Sequence, residues 1–379
     1  MLFRSGTLTD YVRRTGNPVR FPNVEMNVLY EEGEIKLFGA QSTSWLGVPL
    51  KLSGNTVGVM AVQCYDNTEA YSVKDEELLV FVSDHIARAI ENVRAEEKIR
   101  KQHLQVLQQK QAITDSISYA RRIQKASLPS PPYLDNILSD YFAIFKPKDI
   151  ISGDFYWVRE IDGFRVIVVA DSTGHGVPGA LMSMLGVTLL NEQFRTFGIR
   201  QPDVILRHLR NKVKDILAQE GSASDQMDGI DMAIVIIDSE KKELQFAGAN
   251  RPLFLFRKKV PVVGTEKIPY SSLEDDEYEL YAIKGDKQPI GVHWEESEFT
   301  NHSIKIQEHD SIYIFSDGFV DQYGGDKRKK FKTRNFKKLL LSVQTESMNN
   351  QKKLIEDAFE EWRGSNEQID DVCVLGLRI

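Results

Sequence analysis

Four aspartates stand at the ends of strand-like runs in this chain, and their placement predicts divalent-metal chemistry. They are Asp154 in Ser-Gly-Asp-Phe-Tyr, Asp171 after Val-Ile-Val-Val-Ala, Asp317 in Phe-Ser-Asp-Gly, and Asp370 in Asp-Asp-Val. Residues this far apart in sequence can meet only at one end of a β-rich core. Carboxylates brought together there would repel one another unless divalent cations neutralised them. The pattern therefore indicates a site for hard-metal phosphoester chemistry.

The segment after Asp171 is the most detailed of these signals. A buried strand ends at Asp171, a turn with Gly174 and Gly176 follows, and Pro178 stands where the first turn of a helix would begin. The glycines let the backbone pass close to a ligand, and a helix N-terminus favours an anion. A β-turn with an aspartate cap is the structural alternative for this segment taken alone.

The other acidic and histidine residues near these runs are assigned by the same reasoning. Alternate strand residues face opposite ways, so only one of Asp370 and Asp371 should reach a common centre, and we choose Asp370. Four carboxylates without a Cys or His cluster favour Mg²⁺ or Mn²⁺ over zinc. Asp228 and Asp231 border a further strand and are expected to cap turns, with a supporting role beside the ligands as the alternative. His175 is expected to serve the loop structure rather than act as a general acid.

Composition limits the partners and the compartment. The chain has 379 residues, which predicts two domains and a connector, and its net charge of −7 comes without a basic face, so no nucleic-acid partner is expected. Cys64 and Cys373 lie in apolar, strand-like surroundings without metal-ligand spacing, which predicts buried thiols in a reducing, cytoplasmic compartment. No apolar run reaches transmembrane length, so no membrane partner is expected. Met1–Ser5 resembles neither a signal peptide nor a domain start, and we expect the natural chain to extend upstream.

Residues 1–92 form the first predicted domain. A closing helix at Asp75–Ile90 follows a possible hairpin around Ser53-Gly54-Asn55. The earlier predicted elements are a helix at Leu8–Arg14 and strands at Val28–Tyr30, Ser44–Leu52 and Thr56–Gln63. The apolar face of the closing helix is predicted to consist of Leu78, Leu79, Phe81, Val82, Ile86 and Ile90.

Residues 93–127 are predicted to form a coiled-coil signalling helix that makes the chain a homodimer. The segment is charged and contains no Gly or Pro, and its apolar residues keep roughly one heptad frame through Leu104 and Leu107. A second frame, which includes Ile113 and Ile117, is offset from the first. A solvated single spacer helix is the alternative, because charged runs are usually solvent-facing.

Residues 128–379 form the third predicted region, which begins at the helix-breaking Leu128-Pro-Ser-Pro-Pro132. Strands in hairpins with helices in pairs predict an α+β layered sandwich rather than a parallel fold. The predicted strands are Tyr141–Lys146, Phe155–Arg159, Phe164–Ala170, Met232–Ile237, Leu244–Ala247, Leu253–Arg257, Tyr278–Ile283, Ser303–Ile306, Ser311–Phe315 and Val372–Leu377. The predicted helices are Gly179–Thr196, Pro202–Glu220, Asn335–Val343 and Gln351–Glu361.

Five ordered motifs in this region resemble the SpoIIE-like branch of PPM metal-dependent serine/threonine phosphatases. They are SGDFYW, ADSTGHGVPGALMS, FAGANRPLFLFR, IFSDGFVDQ and QIDDVCVLGLR, and the resemblance covers about residues 110–379. The first domain, through GTLTDYVRRTGNPV, SWLGVPL and VGVMAVQCY, resembles the latter half of a GAF sensory domain. The resemblance implies a PPM-type αββα sandwich preceded by a truncated GAF-like α/β domain and a helical linker.

The resemblance also implies a two-ion centre of Mn²⁺ or Mg²⁺ that activates water for attack on phosphorus. Asp171 would bridge both ions, the Ser172 carbonyl and Asp154 would serve the second ion, and Asp317 and Asp370 would bind the first. The implied substrate is a phosphorylated STAS-type anti-anti-sigma protein in bacterial signalling, with the GAF domain as the controlling sensor.

Three departures from the family pattern are visible in the sequence. Ser172 replaces the Gly of the wider superfamily, a change that a carbonyl ligand tolerates. Cys373 stands where the branch usually has Thr, and no arginine is in an obvious position to clamp phosphate. Two other functions stay open at this point. One is a PPM fold kept as a non-catalytic partner-binding module, and the other is a small-molecule phosphoesterase.

Overall fold

The computed structural model describes residues 5–196, 201–219, 228–259 and 271–379. Met1–Arg4 lie outside the described residues, and so does Glu220, the last residue of one predicted helix. The chain divides into two compact units, Met1–Ala112 and Ile113–Ile379. Among the described residues, no helix is both long enough and apolar enough to span a lipid bilayer.

The first unit is built on a three-stranded antiparallel sheet in the order β1-β2-β3. Its elements are α1 (Leu8–Thr15), β1 (Val19–Pro22), α2 (Asn23–Glu31), β2 (Ser44–Leu52), β3 (Asn55–Cys64) and the start of α3 (Val73–Ser127). The Thr7 side chain caps α1 by accepting from the Asp10 amide. A small apolar core of Leu8, Val12, Met26, Ile35 and Trp45 holds the two short helices to the sheet.

Two predictions for this unit are corrected by the structure. Val28–Tyr30, predicted as a strand, lies inside helix α2, where Met26 is completely buried. Three residues with strand propensity are too few to decide their own conformation against tertiary packing. Cys64, predicted to be buried, is partly exposed because it ends β3, which is an edge strand, whereas Cys373 is buried as predicted.

The helix α3 continues without interruption through both predicted helical segments and ends at Ser127, just before the Pro-rich break. The residues of α3 that are buried in the first unit are small ones and not those of its predicted apolar face. Ser83 and Ala87 are buried, and the Ser83 hydroxyl donates to the Pro49 carbonyl at 3.0 Å. Leu79 and Ile90 are half-buried. The remaining predicted apolar-face residues are exposed: Leu78, Phe81, Val82 and Ile86.

The second unit stacks two antiparallel sheets between helices, which confirms the predicted αββα sandwich. Its helices are α4 (Pro131–Ile137), α5 (Gly176–Thr196), α6 (Pro202–Ile216), α7 (Gly318–Asp321), α8 (Thr333–Ser342) and α9 (Met348–Arg363), of which α4 and α7 were not predicted. Its strands are β4 (Asp140–Lys146), β5 (Phe155–Ile161), β6 (Phe164–Ser172), β7 (Ile230–Asp238), β8 (Glu243–Ala249), β9 (Leu253–Lys258), β10 (Ser271–Glu274), β11 (Tyr278–Ile283), β12 (His302–Lys305), β13 (Ser311–Phe315), β14 (Tyr323–Gly324), β15 (Lys329–Lys330) and β16 (Val372–Arg378).

Alternating side chains on the strands separate the layers of this sandwich. One sheet has the order β12-β8-β7-β6-β5 and the other the order β10-β11-β9-β13-β16-β4. On β6, Val166 and Val168 pack toward α5 and α6, while Ile167 and Val169 pack into the core between the sheets. The outer face of the second sheet is covered by α8 and α9. Strands buried on both faces give the site a rigid base.

Candidate metal centre

Antiparallel register brings the predicted aspartates to one edge of the sandwich. In the first sheet Phe155 of β5 pairs with Ala170 of β6, so Asp154, which precedes β5, is adjacent to Asp171. In the second sheet Phe315 of β13 pairs with Val374 of β16. Asp317 follows the end of β13 and Asp370 precedes the start of β16, so both occur at that same end of their ladder.

Three of these aspartates, Asp171, Asp317 and Asp370, line a cavity of about 220 Å³. The residues that line it are Asp171, Ser172, Thr173, Gly174, His175, Asp231, Arg251, Asp317 and Asp370. The structure thus brings together four of the five predicted site residues at one opening. Asp154, the fifth, is completely buried behind this lining and faces the Asp171 carboxyl.

Asp154 sits in a loop that other residues hold tightly. The Ser316 hydroxyl donates to Asp154 Oδ2 at 2.5 Å, and the Cys373 amide donates to the same hydroxyl oxygen at 2.9 Å. Asp371 accepts from the Gly153 amide at 2.7 Å and is itself buried. Of the two neighbouring aspartates, Asp370 lines the cavity and Asp371 supports the loop. Both precede β16, which begins at Val372, so strand alternation is not what separates them.

Gly153 is required by close backbone packing in this loop. A Cβ atom at this position would lie 2.5 Å from the Gly174 carbonyl oxygen and 3.2 Å from the Ser172 carbonyl oxygen. Any side chain here would push the Asp154 loop away from the turn after Asp171.

Burial and mutual repulsion disfavour charge on the clustered carboxyls. Burial is the main reason why the pKa of Asp171 is raised, to about 7. The positive charge of Arg251 lowers this pKa, and the negative charges of Asp317, Asp231 and Asp370 raise it further. Burial and then the Asp171 charge raise the pKa of Asp154. Burial likewise raises the pKa values of Asp231 and Asp370. A divalent ion would relieve this cost, because it stabilises the charged form of each ligand.

Two residues of the cluster go beyond the sequence expectation, since Arg251 was not predicted for it and a supporting role was only the alternative for Asp231. Arg251 Nη2 lies 2.7 Å from Asp171, 2.8 Å from Asp317 and 3.0 Å from Asp231. Asp231, predicted to cap a turn, instead pairs with Asp171 across β6 and β7 and takes part in this ionic cluster. The sequence predicted both the strand that ends at Asp171 and the strand that follows Asp231. Pairing these two strands antiparallel would have placed Asp231 beside Asp171.

His175 lines the cavity, whereas Asp228 does not, and both make their recorded hydrogen bonds outside the carboxylate cluster. The His175 ring contacts Asp149 Oδ2 through Nδ1 at 2.9 Å, and both side chains are about half exposed. This contact agrees with the loop role expected for His175. The Asp228 carbonyl accepts from the Gln219 side chain at 3.0 Å, and Asp228 is not among the cavity-lining residues.

The donor set fits a hard divalent ion, although the side chains are not already closed around one. Within the described ranges, no three acidic, histidine or cysteine side chains enclose a point that could hold an ion, and Arg251 Nη2 occupies the space between three of the carboxylates. The lining nevertheless offers mainly carboxylate oxygen, and the Ser172 hydroxyl there is buried without a hydrogen-bond partner. Oxygen donors of this kind suit Mg²⁺ and Mn²⁺.

A larger cavity, about 660 Å³, lies in the first unit and has a different character. Its walls combine aromatic and aliphatic side chains, such as Phe38 and Trp45, with polar ones such as Lys36 and Gln63, and none of the described residues that line it is acidic. We therefore place the chemistry in the smaller, carboxylate-lined cavity, because reactive sites are marked by converging charged groups rather than by size.

Comparisons with known proteins point to one phosphatase family. Residues 162–379 match the model of stage II sporulation protein E (SpoIIE), and residues 2–91 match a GAF domain model. The SiaA-PP2C domain of Pseudomonas aeruginosa is 28% identical, with 71% of this chain and 98% of that chain covered and a TM-score of 0.60. The phosphatase domain and regulatory-domain fragment of SpoIIE from Bacillus subtilis is 17% identical, with 63% and 62% covered and a TM-score of 0.47. No curated protein sequence matched the chain.

Proposed function

Because the chain belongs to the SpoIIE family of PPM phosphatases and carries a GAF domain, we propose that it removes phosphate from serine or threonine of a protein substrate in the cytoplasm. The observation that carries this proposal is the convergence of acidic side chains from both sheets at one solvent-accessible edge. PPM phosphatases are metal-dependent, and the donor set described above fits two Mn²⁺ or Mg²⁺ ions.

Each residue of the cluster has a proposed task. Asp171 would lie between the two ions, Asp317 and Asp370 would complete the first site, and Asp154 with the Ser172 carbonyl would complete the second. When bound, the ions would supply a water of lowered pKa and neutralise charge on the phosphoryl oxygens. Burial of Asp154 keeps competing water away from its carboxylate, and the Ser316 hydroxyl fixes its orientation.

The size of the cavity favours a protein substrate over a small molecule. Sites that enclose small molecules usually measure about 300–1,000 Å³, whereas this cavity measures about 220 Å³. A phosphorylated side chain that projects from a protein surface needs only a shallow, charged opening. From the family resemblance we propose a phosphorylated STAS-type anti-anti-sigma protein as the substrate.

Hydrolysis assays with three substrates test this function. We expect manganese-dependent release of phosphate from a phosphorylated STAS-domain protein and slower release from an aryl phosphate. Turnover of nucleotides without turnover of phosphoproteins would instead indicate a small-molecule phosphoesterase. Phosphoprotein binding without any hydrolysis, at every manganese concentration, would indicate a non-catalytic binding module.

Apolar side chains along α3 support the proposed homodimer. Leu104, Leu107, Ile113 and Ile123 are all exposed in the single chain, although they follow the heptad frames of the sequence. Exposed apolar residues in such frames are typical of a helix that pairs with a second helix. Sedimentation equilibrium would support pairing by giving twice the chain mass of 43.2 kDa. A monomer mass at micromolar concentration would contradict it.

Control by the GAF domain needs a contact between α3 and the metal centre, and the last turn of α3 provides one. Gln124 is buried, and its Nε2 donates to the Ser152 carbonyl at 2.6 Å and to the Ser183 hydroxyl at 2.9 Å. Its Oε1 accepts from the Ser152 amide at 3.1 Å. The side chain thus joins α3 to the loop of Asp154 and to α5. A rotation or shift of α3 would move that loop.

Removing this connection should lower activity. We expect Gln124→Ala to reduce the phosphatase rate about tenfold at limiting manganese, because three hydrogen bonds that position the Asp154 loop are lost at roughly 0.5–1.5 kcal/mol each. Added manganese should restore part of the rate. Gln109→Ala, at an exposed position of the same helix, is the matched control and should behave like the unchanged protein. Equal rates for both variants at all manganese concentrations would refute the connection.

A further inference from the structure

Among the described residues, Arg251 is the one arginine that lines the carboxylate cavity, and it occupies an unusual position there. A single nitrogen, Nη2, lies within 3.0 Å of oxygens from Asp171, Asp231 and Asp317. The side chain is 12% exposed, so water screens these contacts weakly. One positive charge therefore offsets three acidic groups at the centre of the cluster.

The head of Arg251 is held by these carboxylates and by little else. Its hydrogen bonds to the three acids all run through Nη2, and Nε is buried without a hydrogen-bond partner. Arg257 shows the contrast within the same unit, because its Nε and Nη2 both bind the Asp310 carboxylate, at 2.9 Å and 2.6 Å. A two-pronged pair of that kind is fixed in orientation, whereas a head bound through one nitrogen can turn away.

The backbone of Arg251 is fixed even though its head is not. Asn250 adopts a left-handed conformation with φ of 59°, and its amide donates to the Asp286 carbonyl at 2.8 Å. The Arg251 amide donates to the Ala249 carbonyl at 2.7 Å. The Cα of Arg251 is thus anchored at the cavity, and only side-chain torsions are needed to move the guanidinium.

Arg251 and a metal ion compete for the same acids. Asp171 and Asp317, which the proposed function assigns to the first ion, are the two closest partners of Nη2. An ion between these carboxylates would lie within a few ångströms of the guanidinium, where two cations in a weakly screened site repel strongly. The two positive charges cannot occupy this position together.

We propose that Arg251 is a built-in counter-ion that holds the empty acidic cluster together and is displaced when the first metal ion binds. This inference rests on the proposed function, since it needs that ion. Asp231 provides the position to which the arginine retreats. It is not assigned to either ion, its Oδ2 already contacts Arg251, and its Oδ1 is held by the Asn250 side chain at 2.8 Å. The exchange lets the unit fold without metal and sets the metal concentration at which the site fills.

A titration of the metal-free protein with Mn²⁺ tests the exchange. Calorimetry measures the binding, and electron paramagnetic resonance measures the Mn²⁺ that stays free. Arg251→Gln removes the competing charge and should bind the first ion about tenfold or more tightly than the unchanged protein. Arg251→Lys keeps the charge and should bind within about threefold of the unchanged protein. Arg257 pairs with Asp310, which lies at the other end of β13 from Asp317. Arg257→Gln should therefore leave the affinity for Mn²⁺ unchanged.

Thermal unfolding of the same proteins gives an independent measure. Without metal, Arg251→Gln should unfold at a lower temperature than the unchanged protein, because three crowded carboxylates lose their counter-ion. Saturating Mn²⁺ should then raise the unfolding temperature more in Arg251→Gln than in the unchanged protein. A variant that folds only with Mn²⁺ present would be the extreme form of this result and would support the exchange.

Equal or weaker Mn²⁺ binding by Arg251→Gln would overturn the exchange and leave the metal centre intact. It would mean that Arg251 orients the ligands instead of competing with the ion. If neither the unchanged protein nor any variant binds Mn²⁺, the proposed function fails as well. The two failures are therefore distinguishable in one set of titrations.

Discussion

Replacing Asp171 or Asp317 with asparagine is expected to lower manganese-dependent phosphoprotein hydrolysis by about 10³-fold or more. Each substitution keeps the side-chain volume but removes a charged oxygen from the proposed ion sites. Charge stabilisation by bound metal is worth several kcal/mol, and about 4 kcal/mol corresponds to a factor of 10³ in rate. Steady-state assays at saturating Mn²⁺, with folding checked by circular dichroism, measure the effect.

Asp238→Asn is the matched control for these substitutions. Asp238 ends β7, at the far end of the β6–β7 ladder from the Asp171–Asp231 pair. Its carboxylate accepts from the Lys241 amide in a turn, and it is not among the cavity-lining residues. The control should therefore keep nearly full activity. Equal activity in Asp171→Asn, Asp317→Asn and the unchanged protein would show that the reaction takes place elsewhere.

The substitution Gly153→Ala is expected to reduce the rate by about 10²-fold with little change in overall fold. The added methyl would lie 2.5 Å from the Gly174 carbonyl oxygen, so the Asp154 loop must move outward. A displacement near 1 Å in a catalytic arrangement commonly costs about 10²-fold. Binding of the second ion should weaken in parallel, because the displaced loop carries Asp154, and a Mn²⁺ titration would detect this.

Gly163→Ala separates that effect from the general cost of replacing a glycine. Gly163 has a φ of 83° in the turn between β5 and β6, and its position is open, with no atom within 4 Å of an added Cβ. Its substitution should cost about 1 kcal/mol of stability and leave the rate unchanged. Similar activity losses in Gly153→Ala and Gly163→Ala would show that the Asp154 loop has no special role.

The layered fold was predictable because strand patterns are local. The strands at Tyr278–Ile283 and Ser311–Phe315 have the predicted limits, and most others extend by one or two residues. The alternating apolar residues of β6 likewise follow from the sequence, with Val166 and Val168 on one face and Ile167 and Val169 on the other. Each of these predictions needs only the residue order and the two-residue period of a strand.

The remaining features of the site depend on long-range register, which residue order does not reveal. Arg251 follows a strand in a motif without obvious charge partners, yet the fold places it beside acids 80 and 66 residues away. Asp231 looked like a turn cap until β7 was paired with β6. The predicted apolar face of α3 was wrong for the single chain, because Leu78, Phe81, Val82 and Ile86 are exposed while Ser83 and Ala87 are buried.

The most direct measurement of the metal centre is an anomalous difference map from crystals grown with MnCl₂. We expect two manganese peaks at the common edge of the sheets, both beside Asp171, one also contacting Asp317 and Asp370 and the other Asp154 and the Ser172 carbonyl. The Arg251 guanidinium should have turned from Asp317 toward Asp231. A map without peaks in this cavity, or with manganese bound elsewhere while hydrolysis persists, would contradict the metal centre proposed here.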